Sequence, residues 1–186
     1  AALGIEVEAG PWSDHDAVYS ATWVSDGTAI EPVVARPNRH DDVVPISQLG
    51  DARINRAYIG SCTGAKYEDL AMAAEVLAGR TVDPGVLLQV APASRAALRQ
   101  AMDDGTAQTL MDAGAHVLSI GCGACPGIGS GLLAAGEVSI STTNRNFRGR
   151  MGDPDSSVYL ASPYSVAAAA VAGRIIDARD LLEVTA

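Results

Sequence analysis

From about residue 53 onward, the spacing of hydrophobic positions predicts alternating strands and helices. Short apolar runs typical of buried strands lie at residues 56–60, 86–90, 116–120, 138–141 and 158–160. Leucine, alanine and valine recur at helical spacing in residues 67–77, 95–102, 106–113 and 163–172. Ser94 and Pro163 stand at expected helix starts. The order predicts an α/β fold over residues 53–186, a layered α/β/α domain with a mostly parallel sheet.

Residues 1–52 have a different pattern. Residues 17–24 are rich in β-branched and aromatic side chains, as in a strand, and a turn signal follows them. Farther on, Pro32 and Pro37 argue against a helix or a central strand, because proline lacks the backbone N–H that pairing requires. We therefore predict that residues 1–52 form an extended arm that packs on a partner or on the rest of the protein.

Composition and charge indicate a large core and limit the kinds of molecule that the protein is expected to bind. Hydrophobic residues make up 48% of the 186 residues, which predicts a large core. The net charge of −9 argues against nucleic-acid binding, which needs a basic surface. No apolar run approaches the roughly 18–20 residues of a membrane span. An anionic small molecule remains possible as a ligand, because a local arginine cluster can form a positive pocket on an acidic protein.

The placement of the three cysteines indicates metal chemistry. Cys62 follows the first predicted strand of the α/β region, and Cys122 and Cys125 form a C-x-x-C pair after the third. Ligands of open α/β sheets collect at the carboxyl ends of strands, so the three thiols are expected at one edge. An odd number of cysteines fits a reducing, cytoplasmic setting better than a disulfide framework. Three thiolates can hold a four-iron cluster and leave one iron open. Unrelated buried thiols, a redox pair and half a zinc site remain alternatives.

An arginine cluster lies farther along the chain, in residues 144–150. Arg145, Arg148 and Arg150 are closely spaced there in an otherwise acidic sequence. Such a run is often a solvated surface. The planar guanidinium also pairs with carboxylates through two parallel hydrogen bonds, which suits a site for di- or tricarboxylic acids.

Taken together, these motifs resemble the third domain of the aconitase superfamily. In chain order they are Ile59-Gly60-Ser61-Cys62-Thr63, Glu68-Asp69-Leu70, Gly121-Cys122-x-x-Cys125, Asn144-Arg145-Asn146-Phe147-x-Gly149-Arg150 and Ser162-Pro163. The resemblance covers roughly residues 18–176. It is closer to the large subunits of isopropylmalate isomerase and homoaconitase than to mitochondrial-type aconitase.

The resemblance implies a fold, a cofactor and a reaction. The fold would be aconitase-like, and Cys62, Cys122 and Cys125 would ligate a [4Fe–4S] cluster. The substrate would be a hydroxy di- or tricarboxylic acid of the isopropylmalate, homocitrate or citrate type. The family, a class of hydro-lyases, isomerises such acids by dehydration and rehydration. By the same resemblance, the substrate-binding residues are Asn144, Arg145 and Arg150.

The chain departs from the family pattern in ways that bear on function. Gly64 stands where the family usually has asparagine, and Lys66 where arginine or serine is common. No motif matches the family's serine base, so we expect no catalytic residue on this chain and a serine base on a partner. Other subunits would supply the first two domains and the swivelling domain. We accordingly expect a piece of a longer large subunit or a naturally split subunit.

Two rival hypotheses follow from the same residues. One is a non-catalytic iron–sulfur or zinc-binding module with a structural or regulatory role. The other is an enzyme of the same fold with altered chemistry, for which Gly64 and Lys66 are the sequence hints.

Overall fold

In the computed structural model of the chain, residues 12–182 are described. They fall into two units that divide between Ile30 and Glu31. Within residues 12–30 the regular structure is one turn of 3₁₀ helix, Gly27–Ala29. No strand forms at residues 17–24 in the described structure, although their composition favours one, because a strand also needs a paired neighbour. The predictions for residues 1–11 and 183–186, at the two ends of the predicted ranges, lie outside the described residues.

A single sheet organises residues 31–182, and within them it has seven strands. The strands are β1 (Val33–Ala35), β2 (Val43–Pro45), β3 (Arg56–Ile59), β4 (Leu87–Val90), β5 (His116–Val117), β6 (Val138–Ser141) and β7 (Ser157–Leu160). Their order across the sheet is β2-β1-β7-β6-β3-β4-β5. The five strands from β7 to β5 are mutually parallel, whereas β1 runs antiparallel to both of its neighbours. The predicted α/β class with a mostly parallel sheet is confirmed.

The helices follow the caps that the sequence provides. They are α1 (Tyr67–Leu77), α2 (Arg95–Asp103), α3 (Thr106–Asp112), α4 (Pro163–Ala172) and α5 (Arg179–Leu182). The Ser94 hydroxyl accepts a hydrogen bond from the Ala97 amide at 3.1 Å and so caps the start of α2. Pro163 occupies the first turn of α4, and Gly173 ends that helix in the left-handed conformation with φ 69°.

The two faces of the sheet are covered differently. Ala57 and Ile59 on β3 belong to the large cluster, to which each of α1 to α4 contributes buried residues. Tyr58, which lies between them, points to the opposite face, as alternation along a strand requires. There it joins a smaller cluster with Ala91, Ala124, Leu133, Met151 and Val158. Loops rather than helices therefore cover this second face, and one of these loops carries the C-x-x-C pair.

Residues 31–52 contribute two strands that the sequence pattern did not reveal. Pro32 and Pro37 lie just outside β1, so they remove no hydrogen-bond donor from its ladder. Pro45 lies within β2, at the edge of the sheet, where a missing N–H is tolerated. The prolines thus frame a strand that has neighbours on both sides, contrary to the expectation from their positions. Packing of residues 1–52 on a partner, and the boundary after residue 52, stay predictions.

Strand β5 is shorter than predicted. It comprises two residues, whereas the apolar run extends over residues 116–120. The Leu118 amide still donates to the Val90 carbonyl at 2.7 Å, and beyond it the chain leaves the sheet toward Cys122.

None of the helices within residues 12–182 is long and apolar enough to cross a membrane.

A partly buried ion pair between β3 and the start of β6 gives a prediction about pH. Arg56 Nε donates to Glu137 Oε1 at 2.9 Å, and the Ala134 amide donates to Oε2 at 2.9 Å. Burial raises the pKa of Glu137, but these hydrogen bonds outweigh it and hold the pKa below the ordinary 4.5. We expect Glu137→Gln to lower the free energy of unfolding at pH 7 by about 1–3 kcal/mol.

The sign of the pH dependence follows from the lowered pKa. Stability that Glu137 supplies is fully present above its unfolded-state pKa and is lost as pH falls through the folded-state value. In urea unfolding of the protein as isolated, Glu137→Gln should therefore have a lower free energy of unfolding than the wild type at pH 7. This difference should become smaller as the pH is lowered. Asp155→Asn is the control, because Asp155 and its partner Arg148 both have side chains 67% exposed. An equal deficit at all pH values would contradict the assignment.

Candidate metal centre

The structure brings the three cysteines together at the carboxyl edge of the parallel strands. Cys62 lies in the loop after β3, and Cys122 and Cys125 lie in the loop after β5. Burial raises the pKa of the Cys125 thiol, the guanidinium of Arg150 offsets part of that rise, and Cys122 and Cys62 add to it. Cys62 and Cys122 are exposed, and all three thiols are free. The expected convergence of the cysteine loops is thus present, and Arg150 lies with them.

The loop that carries Cys62 is held by Thr142, which follows β6. Thr142 Oγ1 accepts a hydrogen bond from the Gly60 amide at 2.9 Å and donates to the Gly64 carbonyl at 2.7 Å. One hydroxyl thus ties both ends of the loop to the neighbouring strand. A Cβ at Gly64 would lie 2.2 Å from the Thr142 carbonyl oxygen, which is too close for any side chain without rearrangement. Gly64 therefore permits this close approach.

The loop that carries Cys122 is held by Tyr58. The Tyr58 hydroxyl donates to the Cys122 carbonyl at 2.9 Å, and the same carbonyl accepts from the Cys125 amide at 3.0 Å. Burial raises the pKa of Tyr58 to about 12, so its hydroxyl stays protonated, and hence a donor, at neutral pH. No sequence motif predicts this role of Tyr58, although an aromatic residue in a buried strand is conspicuous where aromatics make up 4% of the chain.

The arginine loop divides into residues with different environments. Arg150 is half-buried beside Cys125, and its Nε is buried without a hydrogen-bond partner among the described residues. Arg145 is exposed and forms no salt bridge or side-chain hydrogen bond within residues 12–182. Arg148 pairs with Asp155 at 2.6 Å on the surface. Arg150 is therefore the arginine of this loop placed next to a candidate metal ligand.

Two asparagines of the same loop have distinct roles. Asn144 is exposed and lines a cavity of about 520 Å³ together with His40 and Ser162. Asn146 is buried, and its Nδ2 donates to the Arg36 carbonyl at 2.7 Å and to the Val158 carbonyl at 3.1 Å. Asn146 thus anchors the loop to the sheet. Its neighbours in the sequence, Arg145 and Phe147, are both exposed, so the pattern gave no sign of its burial.

The donor set discriminates between a single ion and a cluster. No group of three or more Cys, His, Asp or Glu side chains in residues 12–182 meets the geometry of a single-ion site. A zinc ion requires its thiolates about 2.3 Å from one point, whereas a four-iron cluster binds each thiolate at a different iron. Cluster ligands therefore stand farther apart than the ligands of one ion. Three free thiols that interact electrostatically with one another and with Arg150 are compatible with a cluster that binds each thiolate at a different iron.

Comparison with known proteins identifies the family. The model of the aconitase family (aconitate hydratase) matches residues 47–173, and the chain belongs to that family. The resemblance inferred from the motifs is thus confirmed.

Individual relatives carry names from one branch of the family. The chain is 47% identical over 170 residues to 3-isopropylmalate dehydratase large subunit 2 of Archaeoglobus fulgidus, covering 91% of the chain and 41% of the relative. It is 50% identical over 163 residues to the probable methanogen homoaconitase large subunit of Methanothermobacter thermautotrophicus, covering 88% and 38%. It is 48% identical over 172 residues to the homoaconitase large subunit of Thermus thermophilus, covering 92% and 41%. The chain spans about two fifths of the length of these relatives.

The hydrogen bonds of Thr142 give a prediction about the Cys62 loop. Thr142→Val keeps the side-chain shape but removes the bonds to Gly60 and Gly64. Each net loss is worth about 1 kcal/mol, so amide exchange in residues 60–64 should accelerate about 10- to 30-fold. Hydrogen–deuterium exchange with mass spectrometry measures this in the protein as isolated. Thr109→Val, which removes a hydrogen bond from α3 to Gly105 at its N-cap, is the control and should leave the Cys62 loop unchanged. Unaltered amide exchange of the Cys62 loop in both variants would contradict a stabilising role for the Thr142 hydrogen bonds.

Proposed function

We propose that this chain is the cluster-binding part of an aconitase-type hydro-lyase that isomerises a hydroxy di- or tricarboxylic acid by dehydration and rehydration. The observation that carries the proposal is the grouping of three free thiols with Arg150, whose Nε is buried without a hydrogen-bond partner in the described part of the chain. The names of the relatives, 3-isopropylmalate dehydratase and homoaconitase large subunits, support the reaction class. Isopropylmalate, homocitrate and citrate are the substrate types considered.

The proposed cofactor is a [4Fe–4S] cluster held by Cys62, Cys122 and Cys125. When bound, such a cluster offers an open iron that acts as a Lewis acid on the hydroxyl and carboxylate oxygens of the acid. Arg150 would bind a substrate carboxylate through its guanidinium, whose Nε has no hydrogen-bond partner among residues 12–182. Exposed Arg145 would bind a second carboxylate, and Asn144 would orient the substrate by hydrogen bonding.

The proton transfer requires a base from outside this chain. Tyr58 lies at the cysteine loops, but burial raises its pKa to about 12, so it is a poor proton acceptor at neutral pH. We propose that a serine base, the first two domains and the swivelling domain come from other subunits or from further parts of the protein. Residues 1–52 would pack against those parts. Free thiols suit a reducing, cytoplasmic location, which we also propose.

Anaerobic purification from the native source, with any accompanying subunits, tests the proposal. Iron and sulfide analysis should give four of each per chain. The electron paramagnetic resonance spectrum of the reduced cluster should change on addition of 3-isopropylmalate, homocitrate or citrate. A complete cluster that responds to none of these acids would indicate a non-catalytic iron–sulfur module. Zinc alone after anaerobic reconstitution would contradict the cofactor and the reaction together.

A further inference from the structure

We infer that Tyr58 is a positioning residue that sets the placement of the C-x-x-C loop relative to the Cys62 loop. The inference rests on the proposed function in so far as these loops hold a cluster. Tyr58 is 2% exposed and projects from β3 toward the face of the sheet that loops cover. Its own strand continues directly into the Cys62 loop. One side chain therefore connects the segment before Cys62 with the backbone of Cys122.

Two glycines make room for the Tyr58 ring, one in each loop. A Cβ at Gly60 would lie 2.1 Å from Tyr58 Cε1, and a Cβ at Gly123 would lie 2.2 Å from the Tyr58 hydroxyl. Any other residue at either position would have to displace the ring. Gly123 also has φ +51°, which disfavours residues with a side chain. Absence of both side chains lets the ring contact both loops directly.

The hydrogen bond of Tyr58 acts on both cysteines of the pair. A carbonyl oxygen has two lone pairs, and that of Cys122 accepts from the Tyr58 hydroxyl and from the Cys125 amide. The Tyr58 hydroxyl therefore orients the peptide on which the turn to Cys125 depends. Cys125 is the buried thiol of the three, so a loosened turn should expose it.

The test compares two phenol-to-phenyl substitutions. Tyr58→Phe removes the hydrogen bond to Cys122 and leaves the ring in place. Tyr164→Phe is the matched control, because it removes a phenol hydrogen bond to Glu75 of 2.7 Å, between α4 and α1. In metal-free protein, we expect Tyr58→Phe to speed alkylation of Cys125 by about tenfold, and Tyr164→Phe to leave it unchanged. After reconstitution, Tyr58→Phe should also lose iron to a chelator about tenfold faster.

A second variant separates the effect of the Tyr58 hydroxyl from the effect of the position of its ring. Gly123→Ala keeps the Tyr58 hydroxyl but places a methyl group on it, so it should accelerate Cys125 alkylation at least as strongly. Wild-type rates in Tyr58→Phe, for alkylation and for iron loss, would overturn the inference while leaving the proposed function intact. Faster alkylation of Cys125 in Tyr58→Phe, with no cluster formed even by the wild type, would sustain the positioning role and remove the proposed function.

Discussion

Cys122→Ser is expected to remove most of the visible absorption of the proposed four-iron cluster. A serine hydroxyl is nearly isosteric with the thiol, but it stays protonated at neutral pH and is a poor ligand for iron. Loss of a hydrogen-bonding neighbour of a metal ligand already costs about 10- to 100-fold in affinity, and loss of the ligand should cost more. Absorption spectroscopy with iron and sulfide analysis of the anaerobically reconstituted protein measures the effect.

The position of Cys122 makes this substitution a clean test of ligation. Its side chain is exposed, and Tyr58 binds its carbonyl rather than its thiol, so the loop should keep its structure. Ser130→Ala, an exposed change in the same loop, is the control and should retain a full cluster. A full cluster in Cys122→Ser would show that the ligand assignment is wrong, whatever the outcome of assays with the acids.

How far the sequence predicts this fold depends on whether the determining interactions are local. Helices α1 and α4 have the predicted bounds because periodicity and end residues such as Ser162 and Gly173 lie within the segment itself. β1 escaped prediction because its pairing with β7 joins residues 35 and 160, and its flanking prolines obscured the strand. The different covering of the two faces of the sheet also depends on non-local contacts, because Ala124 and Leu133 pack on Tyr58 from distant parts of the chain.

The candidate site divides in the same way. The cysteines were found from residue type and from their places after predicted strands. Tyr58 and Thr142 act through contacts across 64 and 82 residues, to Cys122 and Gly60 respectively, and no short motif expresses them. Arg148 is exposed, whereas the Nε of Arg150 is buried, and the spacing of the arginines in the sequence does not predict this difference. The candidate ligands could therefore be predicted from the sequence, whereas the contacts of Tyr58 and Thr142 with their loops needed the structure.

Arg150→Lys is expected to weaken binding of the carboxylic acid by about 10- to 100-fold, which corresponds to one charge-assisted hydrogen bond of 1.5–3 kcal/mol. Lysine keeps the positive charge near Cys125, so the iron content should stay close to that of the wild type. It lacks the planar fork of the guanidinium, including the Nε donor, which in Arg150 has no hydrogen-bond partner within residues 12–182. Titration of the acid-dependent change in the electron paramagnetic resonance spectrum gives the dissociation constant.

Arg148→Lys is the matched control, because it changes the same residue type in the same loop, two positions away. Arg148 already pairs with Asp155, and both side chains are exposed, so acid binding should stay within about twofold of the wild type. Equal weakening in both variants would attribute the effect to the conformation of the loop. Wild-type affinity in Arg150→Lys would exclude its guanidinium as a carboxylate site, even if the cluster is present. Selective loss in Arg150→Lys would instead connect the Arg150 guanidinium to the substrate, because charge, loop and cluster are common to the variants compared.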